Sequence, residues 1–454
     1  MSVDVHHTEH RADVAAPATP PTGPIARIVA GSLAAGAMTA LVLTLVVFAG
    51  GTESVITGSV LVGFGLGWAL IAVLTERHTN QPQRWAAVPA AAMAATGFAL
   101  LAFTPEHATM TRLSWVWPPV VLALTVWMLV RMRRALTGRS RWLLTPVVAV
   151  LALAALGATY ENVTLLRDQH TYPAPGKTYE VHGHRLHLDC HGRGAPTVLL
   201  SNGLGEFSAS WARIAGPVAA TTRVCAYDRA GQGWSSDADS PQDGVTAARD
   251  LHMLLAVAGE QGPYVLVGHS IGGTYSMTYA AEYPEQIAGL VLLDSSSPEQ
   301  FTRMPDYPGQ YALMRRGLAL LPTLDRLGLA RAFTASPLPA PARDQVDALT
   351  ATAHAARNGR DEVSMIPEVF EQAQALTTLH DRPLAVLTAS ENLTTPGWTD
   401  AQDELAALST HSVHRVVDSS HEGLVADEDG AAASVRAITQ IVTSVRAGAP
   451  LVTR

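Results

Sequence analysis

Gly268-His269-Ser270-Ile271-Gly272 sets a serine between two glycines. The β-branched run Tyr264-Val265-Leu266-Val267 precedes it, and residues 274–283 follow without a helix breaker until Pro284. Strand, tight turn and helix is the local order that this spacing calls for. On such a turn a Cβ at either flanking glycine meets other backbone, and the serine hydroxyl projects beside the positive end of the next helix. A hydroxyl is a poor nucleophile at neutral pH, so it needs an imidazole to take its proton and donors to hold the charge that develops on a carbonyl oxygen. His421 is the best base: it follows the strand-like run 413–417 in a loop of small residues. His269 lies inside the turn, His182, His184, His187 and His191 cluster near the first strands, and His252 falls on a helical run. Those six read as structural.

The rest of the chain must position these groups. Its 454 residues allow two or three domains. A net charge of -8 with 15% charged residues leaves no basic footprint for nucleic acid. A mean hydropathy of +0.16 is high for a wholly soluble protein and points to membrane segments. Residues 1–26 are polar and proline-rich and read as a disordered, solvated tail that includes His6, His7 and His10. The region 27–160 holds five apolar stretches, 28–50, 55–74, 86–103, 115–130 and 142–160, each approaching the length that spans a bilayer core. Gly63, Gly65 and Gly67 lie inside one of them and read as close helix packing rather than a nucleotide loop. Arg77 and Arg84 lie in the second loop and Arg131, Arg133, Arg134, Arg139 and Arg141 in the fourth, whereas the other loops carry Glu53, Glu106 and Arg112. Basic loops stay cytoplasmic, so the expected topology puts the tail inside and everything after the fifth span outside.

Residues 161–176, with Pro173 and Pro175, read as a linker. Beyond it strand-like runs at 178–181, 184–190, 197–201, 222–227, 264–267, 287–293, 384–387 and 413–417 alternate with helical runs at 245–258, 274–283, 400–408 and 431–445. Such alternation predicts an α/β fold with a mostly parallel sheet. Cys190 and Cys225, the only two cysteines, fall in the second and fourth strand-like runs and exclude a cysteine-rich metal site. An oxidising compartment permits a bridge between them, and two buried thiols is the other reading.

From Lys177 onward four motifs stand in order: Ser201-Asn202-Gly203-Leu204-Gly205 after the third strand, Tyr227-Asp228-Arg229-Ala230-Gly231-Gln232-Gly233-Trp234-Ser235 after the fourth, the serine turn after the fifth, and Ser420-His421 after the eighth. With them the chain resembles the α/β-hydrolase superfamily, in a bacterial branch with an N-terminal membrane region. The resemblance implies a core in two parts, 177–297 and 381–454, interrupted by a helical cap at 298–380. It implies side-by-side second and fourth strands, as a Cys190–Cys225 bridge requires, and the chain order serine, acid, histidine. It also implies an oxyanion hole from the backbone N–H groups of Leu204 and Ile271, with Asn202 where many members carry histidine. The usual acid position after the seventh strand holds Asn392, which leaves two carboxylates: Asp294 at the end of the sixth strand, favoured because a strand end fixes its direction, and Glu391. Asp228 and Arg229 are implied to shape a turn and pair charges beneath the site.

The expected protein is therefore a membrane-anchored serine hydrolase that cleaves an ester or related acyl bond, without metal or organic cofactor. Its partners are a small acyl substrate and the lipid bilayer, with no nucleic acid. Apolar cap residues such as Phe301, Tyr307, Tyr311 and Phe370 suit a greasy substrate, and equally the packing of cap on core. A catalytically silent receptor or scaffold, and an acyltransferase or haloperoxidase-like activity, are the alternatives.

Overall fold

A computed structural model describes residues 24–136, 139–449 and 451. Most of the expected tail, with His6, His7 and His10, lies outside the described residues.

The N-terminal half is helical: α1 (Pro24–Val42), α2 (Glu53–His78), α3 (Ala87–Phe103), α4 (His107–Leu113), α5 (Trp117–Ala135) and α6 (Arg139–Thr171). Among the described residues four helices are long and apolar enough to cross a membrane, and α4 with α5, bent by 45° at the 114–116 break, make a fifth if taken as one span. The expected fourth stretch is thus the broken one, with Pro118 in the first turn after the break, where a missing N–H costs nothing. Gly63 faces α1, where a Cβ would stand 2.7 Å from the Gly36 carbonyl oxygen, and Gly65 faces α3, 2.9 Å from the Ala94 nitrogen. Small residues let these backbones touch.

The reading of 161–176 as a linker needs correcting. The helix α6 runs unbroken for 33 residues to Thr171, and only residues 172–176 connect it to the sheet. The polar run after Tyr160 contains good helix formers and no breaker before Pro173, and its buried members are paired: Glu161 with Arg331 at 2.5 Å, Asn162 Nδ2 with the Ser114 carbonyl at 2.6 Å.

The C-terminal half is an eight-stranded sheet built from β1 (Lys177–Val181), β2 (His184–His191), β3 (Thr197–Ser201), β4 (Val224–Asp228), β5 (Tyr264–His269), β6 (Ile287–Leu293), β7 (Leu384–Ala389) and β8 (Ser412–Val417), in the order β1-β2-β4-β3-β5-β6-β7-β8. Only β2 pairs antiparallel with its neighbours; the other pairings are parallel. Helices α7 (Ala212–Ala219), α8 (Gly244–Ala258), α9 (Ile271–Glu282) and, after the cap, α15 (Trp398–Ala406), α16 (Gly423–Ala426) and α17 (Glu428–Ala447) cover both faces. Strands β3, β5 and β6 therefore bury both sides, with Leu199, Leu266 and Leu290 in one core and Val198, Val265 and Val291 in the other. Cys190 and Cys225 stand opposite each other in the β2–β4 ladder and are joined by a disulfide.

The cap between β6 and β7 comprises α10 (Gln300–Arg303), α11 (Tyr307–Leu318), α12 (Leu321–Asp325), α13 (Ala342–Thr350) and α14 (Ala353–Ala373). It leans on the membrane-type helices. Thr323 meets Thr57 at 2.8 Å, Arg326 pairs with Glu53, and Arg331 holds both Glu161 and Asp168.

Candidate active site

Ser270 sits between β5 and α9 with φ 54° and ψ -128°, outside the regions open to ordinary L residues. Holding such a residue costs of order 1–3 kcal/mol and requires over-determined surroundings. Those are present: the Ser270 N–H donates to the Leu293 carbonyl at 3.1 Å, and its own carbonyl accepts from Gly273 and Ser296 at 3.1 and 3.0 Å. A Cβ on Gly268 would lie 2.5 Å from the Gly272 carbonyl oxygen, and one on Gly272 2.2 Å from that of Ser201. Both glycines are therefore steric necessities of the turn.

Asp294 follows β6, the strand beside β5, and is fully buried. Its carboxylate meets four donors: His421 Nδ1 at 2.6 Å, Asn392 Nδ2 at 2.6 Å, Trp398 Nε1 at 2.9 Å and the Ala389 N–H at 3.1 Å. Burial alone would raise its pKa; the bond and charge of His421, with the donations from Ala389 and Trp398, outweigh that and hold it below the usual carboxylate range. Of the two candidate acids, Asp294 is the one facing the imidazole. Glu391 instead accepts the backbone N–H of His421 at 2.8 Å and so holds the loop, not the ring. Asn392 keeps its place near the site as a donor to Asp294.

Leu204 and Ile271 lie together beneath the cap, in an apolar cluster with Tyr275, Met304, Tyr307 and Phe370. The loop carrying Leu204 is fixed from both sides. Asn202 donates to the Tyr227 carbonyl at 2.8 Å, accepts from Trp211 Nε1 at 2.7 Å, and its own carbonyl accepts from Arg229 at 2.8 Å. Glu206 accepts the Gly203 N–H at 2.6 Å and stands 2.9 Å from His269 Nδ1.

Three residues here were not nominated from sequence: Glu206, Trp398 and, read there as merely structural, His269. His269 Nε2 donates to the His421 carbonyl at 3.0 Å and the two rings lie 4.6 Å apart, so His269 links Glu206 to the loop bearing His421. Burial would lower the His269 pKa, but the Glu206 charge overrides it and raises it, while Glu206 itself is held low. The only sequence signal was adjacency to Ser270. Nothing in the spacing of Glu206 marks it.

Asp228 lies away from this pair of groups. It is fully buried against His187 at 2.8 Å and accepts the backbone N–H of Ser208 and Trp234 at 2.6 and 3.1 Å. Arg229 pairs with Glu362 of the cap at 2.5 Å and lies over the Tyr275 ring at 4.2 Å. Among the described residues, two groups bring three metal-capable side chains together: His107 with Asp237 and His354, and Cys190 with Cys225 and Glu260. In the first, Arg357 stands 2.6 Å from Asp237 and opposes a second cation; in the second the sulfurs are bonded to each other.

A sequence profile for the alpha/beta hydrolase fold matches residues 196–425, and the chain belongs to that family. An uncharacterized protein of Schizosaccharomyces pombe is 28% identical over 49% of this chain and 42% of its own length. A protein of Azorhizobium caulinodans with the provisional name carbamate hydrolase RutD is 35% identical over 24% of this chain and 40% of its own length. The chain thus spans about half or less of the length of these curated relatives. Among solved structures, a mutant of a Pseudomonas aeruginosa protein with the provisional name epoxide hydrolase superposes with a TM-score of 0.51 at 17% identity, covering 60% of this chain and 96% of that one. An esterase of Thermogutta terrifontis gives 0.46 at 19% identity, over 60% and 99%. At such identities the likeness is one of fold.

Proposed function

We propose that the protein is a membrane-anchored serine hydrolase whose triad is Ser270, His421 and Asp294. The observation that carries this is the 2.6 Å bond between His421 Nδ1 and the buried Asp294, at the end of the strand next to the one that leads into Ser270. With Nδ1–H fixed by Asp294, Nε2 is the nitrogen left to take the Ser270 proton. Ser270 Oγ then bonds to the acyl carbon, and the N–H groups of Leu204 and Ile271 receive the negative oxygen. The tetrahedral species collapses, the leaving alcohol takes the proton from His421, and water repeats the sequence to free the acid. The apolar cluster around Ile271 favours an acyl substrate.

The apolar helices and the arginine-rich loops support a multi-pass anchor with the hydrolase half outside the cytoplasm. The disulfide accords with an oxidising compartment. An inactive scaffold, which the loss of the acid at Asn392 would favour, is less well supported, because Asn392 donates to a carboxylate that is present. A fluorophosphonate probe tests the proposal: the folded protein is expected to label, and Ser270→Ala to abolish labelling. A folded wild type that resists the probe overturns it.

A further inference from the structure

Between α4, α6, the cap and the loop after β3 lies a cavity of about 570 Å³, within the range of small-ligand sites. Trp115 and Leu166 line it from the membrane-type helices, Phe207 and Trp234 from the sheet domain, and Leu349 and Ala353 from the cap. Gly205 and Glu206 also line it. That is the loop of Leu204, and Glu206 touches His269, the neighbour of Ser270. Of the cavity's lining side chains Trp115 is 48% and Leu166 49% exposed, and their chain neighbours Val116 and Val163 are exposed at 53% and 57%. Trp115 opens the fourth apolar stretch and Leu166 follows the fifth, at the level where a bilayer core gives way to headgroups. Water cannot cover such side chains without cost, whereas lipid tails can.

Of the polar groups on the cavity walls, Arg326 is paired with Glu53 and Asn162 exchanges bonds with Ser114, whereas Gln169 and Asn358 are, among the described residues, free to meet an occupant; the rest of the lining named above, Glu206 apart, is apolar. Its walls are also tied together, by the contacts of Arg326, Arg331 and Thr323 with the membrane-type helices and by Gly157, where a Cβ would lie 2.3 Å from the Leu327 carbonyl oxygen. From these features we infer that the cavity takes a single acyl chain entering sideways from the lipid layer. Resting on the hydrolase reading above, this makes the substrate a membrane-resident acyl ester, with its carbonyl directed to the Leu204 loop.

The test uses the full chain in phosphatidylcholine nanodiscs, with Ala355→Trp and Leu165→Trp filling the cavity from the cap side and from α6. Both variants are expected to keep fluorophosphonate labelling of Ser270 and turnover of p-nitrophenyl acetate, while turnover of p-nitrophenyl palmitate falls by about tenfold or more. Equal losses on both esters, or none on either, overturn the inference. A diazirine-bearing palmitic acid supplies a readout independent of activity: photo-crosslinks in the wild type are expected at residues 162–172 and 205–207 and are lost in both variants. Ser270 labelling without crosslinks there overturns the cavity assignment alone. Crosslinks there with a Ser270 that resists the fluorophosphonate overturn the hydrolase reading, and with it the claim about substrate.

Discussion

Of the histidine–aspartate pairs at this sheet, His187–Asp228 and His421–Asp294 both bury the aspartate completely, and they differ in the exposure of the ring. In His187–Asp228 both side chains are fully buried, and the second nitrogen of His187 is taken by the Pro175 carbonyl at 2.5 Å. In His421–Asp294 the aspartate is equally buried, but the histidine side chain is 30% exposed. The first pair has every polar atom spent on the fold. The second spends the aspartate on holding one nitrogen and leaves the ring open on its other side. A buried carboxylate bonded to imidazole is thus common to both pairs, and the free edge of the ring is what fits the second for the proton transfer proposed above.

That contrast can be broken by experiment. Ser270→Ala, which removes the proposed nucleophile, is expected to lower kcat on a short ester by about 10⁶-fold without lowering the melting temperature. Asp294→Asn leaves the shape but favours the wrong imidazole tautomer, with an expected fall in kcat of about 10⁴-fold. Asp228→Asn is expected to do the reverse: it costs about 3–5 kcal/mol of stability by denaturant titration, while turnover per folded molecule stays within a few-fold. Should Asp228→Asn depress turnover of folded protein as strongly as Asp294→Asn, the distinction between the pairs fails. Glu391→Gln, which weakens a bond to the His421 backbone only, is expected to lower kcat no more than about tenfold.

The smallest effect is on pH. Burial would lower the His187 pKa, but the bond and charge of Asp228 outweigh it and raise it. A raised folded-state pKa gives stability that is complete below the unfolded value, about 6.5, and is lost as pH climbs through the folded one. The stability gap between wild type and Asp228→Asn is therefore expected to narrow from pH 6 towards pH 9, a range set by that ordinary histidine value. Melting curves across this range check it, and a gap that widens contradicts the assignment.

Much of the sheet was legible because its strands are continuous buried apolar runs. The bounds of 197–201 and 287–293 coincide with the observed strands β3 and β6. Helices were less legible where a breaker sits inside them. The helix α7 carries Pro217 and went unseen, although its Ile214 and Val218 are fully buried. The helix α9 begins at Ile271 rather than three residues later, because Gly272 and Gly273 are poor helix formers held there by the turn. At the site, motif spacing nominated Ser270 and His421, since those positions follow from a local turn and a loop. The choice between Asp294 and Glu391 depends on where a strand end points, which one sequence does not carry. Glu206 and Trp398 reach the site only through tertiary packing.

The unbroken course of α6 has a mechanical consequence. From Tyr160 to Thr171 it continues as a single helix beyond its apolar stretch, a reach of roughly 16 Å. Arg331 clamps this strut to the cap through Glu161 and Asp168, and residues 172–176 are the one short joint left between it and the sheet. Any tilt of that rod is therefore passed straight to the cap, and so to the roof over Ser270, rather than being absorbed by a long flexible tether.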